Sequence, residues 1–328
     1  MTTIAYCNPF IPPEWIAAHG MQPSWMQVHF AEGRPFVHAG RAICPYAAVM
    51  MDEVLSDLQA SAVVLTTTCD QMRYAAAMLE SQGDVAIFLM NVPSTWQTDA
   101  TRRLYQDELK RLGRFLVRLG GQPPTEEQLA DVMLEYDKAR ANLRDTRSQL
   151  PARQFAEAIA EVRMGKGGGF HSAETNGSEE GGGVPLAIVG GPLIEKDFAI
   201  FDLVEQAGGR LVLDATEGGE RTLPAVFDRG RVEEDPLDEL VRAYFGAIPD
   251  VFRRPNDGLY EWLGEELASR QVRGVLLHRY VWCDIWHAET ARLKEWSPVP
   301  VLEIDECDDD ASLGRTAGRI EAFLEMLT

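Results

Sequence analysis

Apolar positions along this chain follow two patterns, short continuous runs and longer stretches spaced at helical period. Val63-Val64-Leu65, leading through Thr66-Thr67-Thr68 to Cys69-Asp70, is the clearest run. It predicts a parallel strand covered on both faces. Met72, Ala75, Ala76 and Leu79 follow at helical spacing. Similar runs over residues 4–7, 85–90, 185–189, 210–214, 274–277 and 299–304, with alternation over 25–30, predict further strands. Pro12-Pro13-Glu14 starts a helix ending near Gly20, and Met51, Val54, Leu55 and Leu58 stripe another behind Pro45. Phe198, Phe201, Leu203 and Val204 mark a helix stopped by Gly208-Gly209, and a last helix runs from about Ser312. Strands alternating with helices indicate α/β sheets built in parallel.

Between residues 98 and 164 the pattern is helical only. Leu104, Leu112, Phe115, Leu116 and Leu119 supply one face, Thr125 caps a second helix, and Pro151 precedes a third. Residues 165–183 are polar and glycine-rich without the spacing of a phosphate-binding loop, which reads as a connector. The fold class is therefore α/β. Two Rossmann-like parallel-sheet domains, residues 1–97 and 184–328, are separated by a helical insertion over 98–164 that attaches to the first, and by the connector over 165–183.

Composition narrows the function classes. A formal net charge of −20 opposes binding to nucleic acid. No apolar run approaches membrane-spanning length and no basic-then-apolar leader opens the chain, so a cytoplasmic protein with no membrane partner is expected. Charge is uneven: residues 101–166 hold 13 Lys/Arg against 10 Asp/Glu, a net of +3, leaving −23 elsewhere. That excess reads as a solvated helical face, or as a set (Arg102, Arg103, Arg111, Arg114 and Arg118) attracting an anion. Five cysteines without close spacing are not a disulfide framework.

Three of the five share one setting. Cys44 precedes Pro45 at a helix start, Cys69 ends the first apolar run, and Cys283 ends the run from Gly274. Positive partial charge at a helix N-terminus favours the thiolate, the form that binds metal. In open α/β sheets ligands bind beyond the carboxyl ends of strands, where these cysteines fall. An iron–sulfur cluster on Cys44, Cys69 and Cys283 is one reading. Zinc is another, using His278 or His287 beside Cys283. Three inert buried thiols is the third. Cys7 and Cys307 are left as small buried residues, although Cys7 also ends a predicted strand and could supply a fourth thiolate.

Several segments resemble the family of 2-hydroxyacyl-CoA dehydratase and benzoyl-CoA reductase subunits. They are Pro12-Pro13-Glu14-Trp15-Ile16-Ala17-Ala18-His19-Gly20, Thr68-Cys69-Asp70, Gly191-Pro192-Leu193, Gly208-Gly209 with Asp214, Arg221, and Cys283-Asp284. The resemblance implies a 4Fe-4S cluster held by Cys44, Cys69 and Cys283 with one iron open to substrate. It implies an acyl-CoA substrate, an ATP-dependent activator protein as electron donor, and a homodimer or a heterodimer with a related subunit. The enzyme is then a hydro-lyase or an acyl-CoA reductase, in which one electron turns the thioester carbonyl into a ketyl radical. Glu14 and Glu217 are the catalytic candidates, and Trp96 and Arg221 the substrate-binding ones. A cluster-binding electron-transfer or carrier protein without acyl-CoA chemistry is the rival reading.

Overall fold

The computed structural model describes residues 1–29, 43–56, 59–82, 85–165, 182–306 and 312–328. Leu58, Cys307, most of the glycine-rich connector and the end of the predicted 25–30 strand lie outside the described residues.

The first half places β1 (Thr3–Tyr6), α1 (Pro13–Ala18), β2 (Gln22–Trp25), α2 (Pro45–Ser56), β3 (Ala62–Thr66), α3 (Asp70–Gln82) and β4 (Ala86–Met90) in a parallel sheet of order β2-β1-β3-β4. Every residue of β3 is buried, as a central strand covered on both faces requires. Three helices follow: α4 (Asp99–Arg118), α5 (Glu126–Asp145) and α6 (Ala152–Arg163). The second half contains β5 (Val184–Gly190), α7 (Ala199–Gln206), β6 (Gly209–Ala215), α8 (Arg229–Glu234), α9 (Pro236–Val241), α10 (Asp257–Ser269), β7 (Gly274–Tyr280), α11 (Asp284–Trp296), β8 (Val301–Glu306) and α12 (Ser312–Leu327). Its sheet is also parallel, in the order β6-β5-β7-β8. The two sheets repeat one plan, so β3 and β7 occupy equivalent places. The α/β reading with two Rossmann-like sheets and helices between them holds.

The predicted strand over 25–30 is displaced. β2 runs from Gln22 to Trp25 and accommodates Pro23 because it lies at the sheet edge. Beyond it the chain crosses to the second half, where the carbonyl of Val28 accepts from the backbone N–H of Glu195 at 2.9 Å. Burial of Met26 and Val28 in that crossing produces the alternation without a sheet.

Thr125 caps α5 as expected. Its hydroxyl accepts from Gln128 N at 3.2 Å while the Gln128 side chain accepts from Thr125 N at 2.9 Å. In α4 the buried stripe is Tyr105, Leu109, Leu112 and Leu116, whereas Leu104 is exposed. Arginines of α4 are held locally: Arg102 pairs with Asp238, and Arg111 with Glu108 while lying 4.1 Å from the Phe88 ring centroid. These two charges are therefore committed to intramolecular contacts. The helical segment packs on both halves, α4 and α5 against α1 and α9, and α6 against β2 and β6. No helix of the described residues is long and apolar enough to cross a membrane.

Candidate active site

The carboxyl ends of both sheets meet at one cavity of about 540 Å³. In each sheet the strand order reverses between the first strand and its inner neighbour, which is the switch point where such sheets bind ligands. Cys7 and Asn8 leave β1 at that point, and Thr68 and Cys69 leave β3. In the second half Gly191 follows β5, and Trp282 and Cys283 follow β7. Cys69-Asp70 and Cys283-Asp284 are thus equivalent positions in two copies of one plan.

Cys44, Cys69 and Cys283 all line the cavity, and each stands one residue before a helix. The carbonyl of Cys44 accepts from Ala48 N, that of Cys69 from Arg73 N and that of Cys283 from His287 N, closing the first turns of α2, α3 and α11. Burial pushes the thiols of Cys44 and Cys69 up to about 12, and raises Cys283 as well. Backbone N–H groups at the helix starts pull the other way: Ala47 and Tyr46 on Cys44, Met72 and Gln71 on Cys69, and Trp286 on Cys283. Cys7 also lines the cavity, but its opposing donor is a side chain, the Tyr46 hydroxyl. Burial, then the Glu217 charge, carry its thiol up to about 12. Trp282, just before Cys283, has φ of +69°, a region bulky residues rarely enter. This tight turn, closed by Cys283 N donating to Tyr280 O at 3.1 Å, sets Cys283 at the helix start and leaves the indole exposed at the mouth.

Glu217 is the sequence-derived candidate acid that reaches the cavity wall. Its loop is fixed from behind. Glu217 N donates to Gly191 O at 3.2 Å, the Glu217 carbonyl accepts from Thr222 Oγ1 at 2.8 Å, and Arg163 of α6 donates to Thr222 Oγ1 at 2.6 Å. Its Oε1 accepts from Asn8 Nδ2 at 3.0 Å. Burial and the nearby Asp250 charge push the Glu217 carboxyl up to about 8, with Arg221 and Arg163 opposing them, so it holds a proton at neutral pH.

The other candidates are not on the wall. Glu14 is fully buried, with Oε1 bound by Arg140 Nη1 at 2.5 Å and Oε2 by the Tyr244 hydroxyl at 2.7 Å. Both oxygens are committed to joining α1, α5 and the segment after α9. Trp96 donates from Nε1 to Pro255 O at 3.0 Å and does not line the cavity. Arg221 sits one layer behind. It donates to Ala215 O, Pro249 O and Gly190 O and pairs with Asp250 at 2.6 Å, so it positions Asp250 on the wall. His278 is buried and His287 exposed, and neither lines the cavity. Among the described residues no three His, Cys, Asp or Glu side chains gather for a single ion, as zinc would need.

Sequence reasoning missed Asn8 and Asp250 as wall residues. Asn8 was accessible to it, because it follows the first strand at the switch point. Asp250 was not, because it lies in an irregular segment between the π-turn at Arg242–Gly246 and α10.

Among known proteins, YjiM of Escherichia coli (strain K12), classed by name with dehydratase subunits, is 24% identical over 309 residues. The alignment covers 87% of this chain and 76% of that protein. Solved structures with some likeness are a mutant of FpvC from Pseudomonas aeruginosa (11% identity, TM-score 0.26, 100% of this chain and 99% of that one). Another is a mutant of the laminin-binding adhesin Lmb from Streptococcus agalactiae (10% identity, TM-score 0.23, 100% of each chain). Superposition that loose carries no argument. The profile described as 2-hydroxyglutaryl-CoA dehydratase, D-component, matches residues 8–327, nearly the whole chain, including every cysteine of the cavity except Cys7. The chain therefore belongs to that family and is a dehydratase-type subunit.

Proposed function

We propose that this chain is the iron–sulfur subunit of a radical 2-hydroxyacyl-CoA dehydratase, or of a related acyl-CoA reductase of the benzoyl-CoA type. Cys44, Cys69 and Cys283 would hold a 4Fe-4S cluster and leave one iron for substrate. The observation that carries this reading is three thiols around one cavity, each at a helix start whose backbone N–H groups oppose the rise that burial imposes on the thiol. A cuboidal cluster bonds each cysteine to a different iron, so its ligands ring a body of atoms instead of converging on one point. Hydrogen bonds to the sulfurs tune such a centre. When bound, the cluster would supply one low-potential electron and a Lewis-acidic iron.

The chain's own residues would then handle the substrate and the proton. The cavity, about 540 Å³, is within the size range of small-molecule sites. Glu217 arrives protonated and is oriented through Oε1 by Asn8. It is suited to give its proton to a departing hydroxyl group as water. Burial first, and then the charge of Asp250, which Arg221 fixes, keep that proton on Glu217. An ATP-dependent activator would deliver the electron, and a second copy or a related subunit would complete the assembly.

Anaerobic purification with iron and sulfide analysis tests the reading. Iron near the stoichiometry of one cluster and an absorption spectrum perturbed by acyl-CoA support it. A cluster whose spectrum ignores acyl-CoA points to the electron-transfer alternative, and a colourless chain without iron removes both.

A further inference from the structure

Arg163, which holds the Glu217 loop, also lines a separate, smaller cavity of about 20 Å³, room for one water molecule or one monatomic ion. Tyr6, Tyr136, Arg140, Arg163, Thr222 and Tyr244 supply its polar lining, and all of them are buried. Tyr136 and Arg140 stand four positions apart on α5 and so share one face. Among the described residues the Tyr136 hydroxyl and Arg140 Nε have no hydrogen-bond partner, and Arg140 Nη2 has only Asp137 Oδ1, at 3.9 Å. An orphaned buried donor is costly, and more so when it carries charge. The other hydroxyl hydrogens are spent: Tyr6 donates to Arg163 O at 2.8 Å, Tyr244 to Glu14 Oε2 at 2.7 Å and Thr222 to Glu217 O at 2.8 Å.

Charge decides what belongs there. Arg163 donates to Gly218 O at 3.0 Å and to Thr222 Oγ1 at 2.6 Å and lies 4.2 Å from the Trp25 ring centroid, and among the described residues no carboxylate pairs with it. Asp214 and Glu217, the carboxyl groups that act on it from a distance, are both pushed toward the protonated form by burial. Glu14 is bound by Arg140 and the Tyr244 hydroxyl, and Asp137 by Arg229 at 3.4 Å, so neither is left to compensate Arg163. A water molecule meets orphaned donors but brings no charge and must place two hydrogens of its own. An anion accepts from each donor and offsets the buried positive charge. We propose that this cavity is a halide site, in which one chloride ion accepts from the Tyr136 hydroxyl and the Arg140 guanidinium and serves as the counter-ion of Arg163. Bound there, the ion ties α5 to α6 and, through Arg163, to the Gly218 and Gly219 carbonyls beside Glu217. The site does not depend on the reaction proposed above.

Anaerobically purified protein, with any co-purifying subunit, is exchanged into sodium gluconate and titrated with sodium chloride at constant ionic strength. The melting temperature should rise saturably, by roughly 2–4 °C at ten times the half-saturating concentration. Tyr136→Phe removes a hydroxyl that has no protein partner among the described residues. It should therefore melt no lower than wild type in gluconate, and lose at least about half of the chloride increment. Crystals grown in sodium bromide should show an anomalous-scattering peak between Tyr136 and Arg140. Water density there without an anomalous peak overturns the proposal, as does a chloride increment that is absent or is unchanged by Tyr136→Phe. A peak without halide-specific stabilisation means binding at crystal concentration only, and overturns it too. Should Tyr136→Phe fail to fold, the wild-type titration and the bromide crystals still decide the matter.

Discussion

Asn8 at the end of β1 reaches across the crevice and donates from Nδ2 to Glu217 Oε1 at 3.0 Å, while also donating to Thr68 Oγ1 at 3.2 Å. One side chain therefore links the loop carrying Cys69 to the loop carrying the candidate acid. Asn8→Ala should cost about 1 kcal/mol of stability. It should also raise the Glu217 carboxyl further above about 8, because the Asn8 hydrogen bond opposes that rise. Denaturation curves across pH measure both effects. An unchanged titration midpoint would mean that Asn8 does not govern Glu217.

Glu217 predicts a pH dependence of stability with a definite sign. Its carboxyl rises from an ordinary 4.5 to about 8 on folding, so between those values the folded protein binds more protons than the unfolded. Stability from this group is complete below about 4.5 and is lost as pH rises through about 8. Glu217→Gln should flatten that fall. A fall of the same steepness in the variant would place its source elsewhere.

Cys44→Ser, Cys69→Ser and Cys283→Ser should each lose most bound iron, whereas Cys7→Ala and Cys307→Ala should keep it. Iron content per chain and the visible spectrum give the result without an activity assay. Loss of iron on Cys7→Ala would make Cys7 a ligand and favour electron transfer over catalysis.

Glu14→Ala should destabilise the fold by about 3–5 kcal/mol, because it removes the carboxylate 2.5 Å from the buried Arg140 guanidinium and leaves it only Asp137, at 3.9 Å. Turnover per folded molecule should stay near wild type. A variant of normal stability that had lost turnover would return Glu14 to the catalytic list.

Gly190 ends β5, where an added Cβ would lie 2.1 Å from the carbonyl oxygen of His278 on β7. Gly190→Ala should cost on the order of 3 kcal/mol and lower the melting temperature. It should also disturb Arg221, which donates to the Gly190 carbonyl at 3.4 Å, and with it Asp250. Gly191→Ala, whose nearest neighbour would be the Trp286 ring at 3.5 Å, should be milder.

Much of this fold was legible because its signals are local. A continuous apolar run followed by helical spacing identifies each strand–helix unit, and Pro45 marks the start of α2 within the chain itself. The helix-start positions of the three cysteines followed from those same signals. Reading residues 25–30 as a strand failed beyond Met26, whose N–H still donates to Tyr6 O, because burial in the core between α2 and β3 continues the alternation after the sheet pairing has ended. Glu14 and Arg221 drew attention as charged residues in segments resembling a dehydratase family. Whether a carboxylate faces a cavity or a buried arginine depends on Arg140, 126 positions away, and no local pattern carries that. Asp250 and Phe252 come from an irregular segment whose place is set by tertiary packing.

The division of labour among the lining residues has an evolutionary consequence. Cys69 and Cys283 are fixed where helices follow β3 and β7, so moving either means re-registering a strand against its neighbours. Val92 and Phe252 lie in connections outside both sheets and can be exchanged without that cost. The lining these connections supply and the thiol frame are thus separable under mutation. Relatives can diverge in the compounds they accept while the thiol frame stays unaltered, and a designer can reshape one without rebuilding the other.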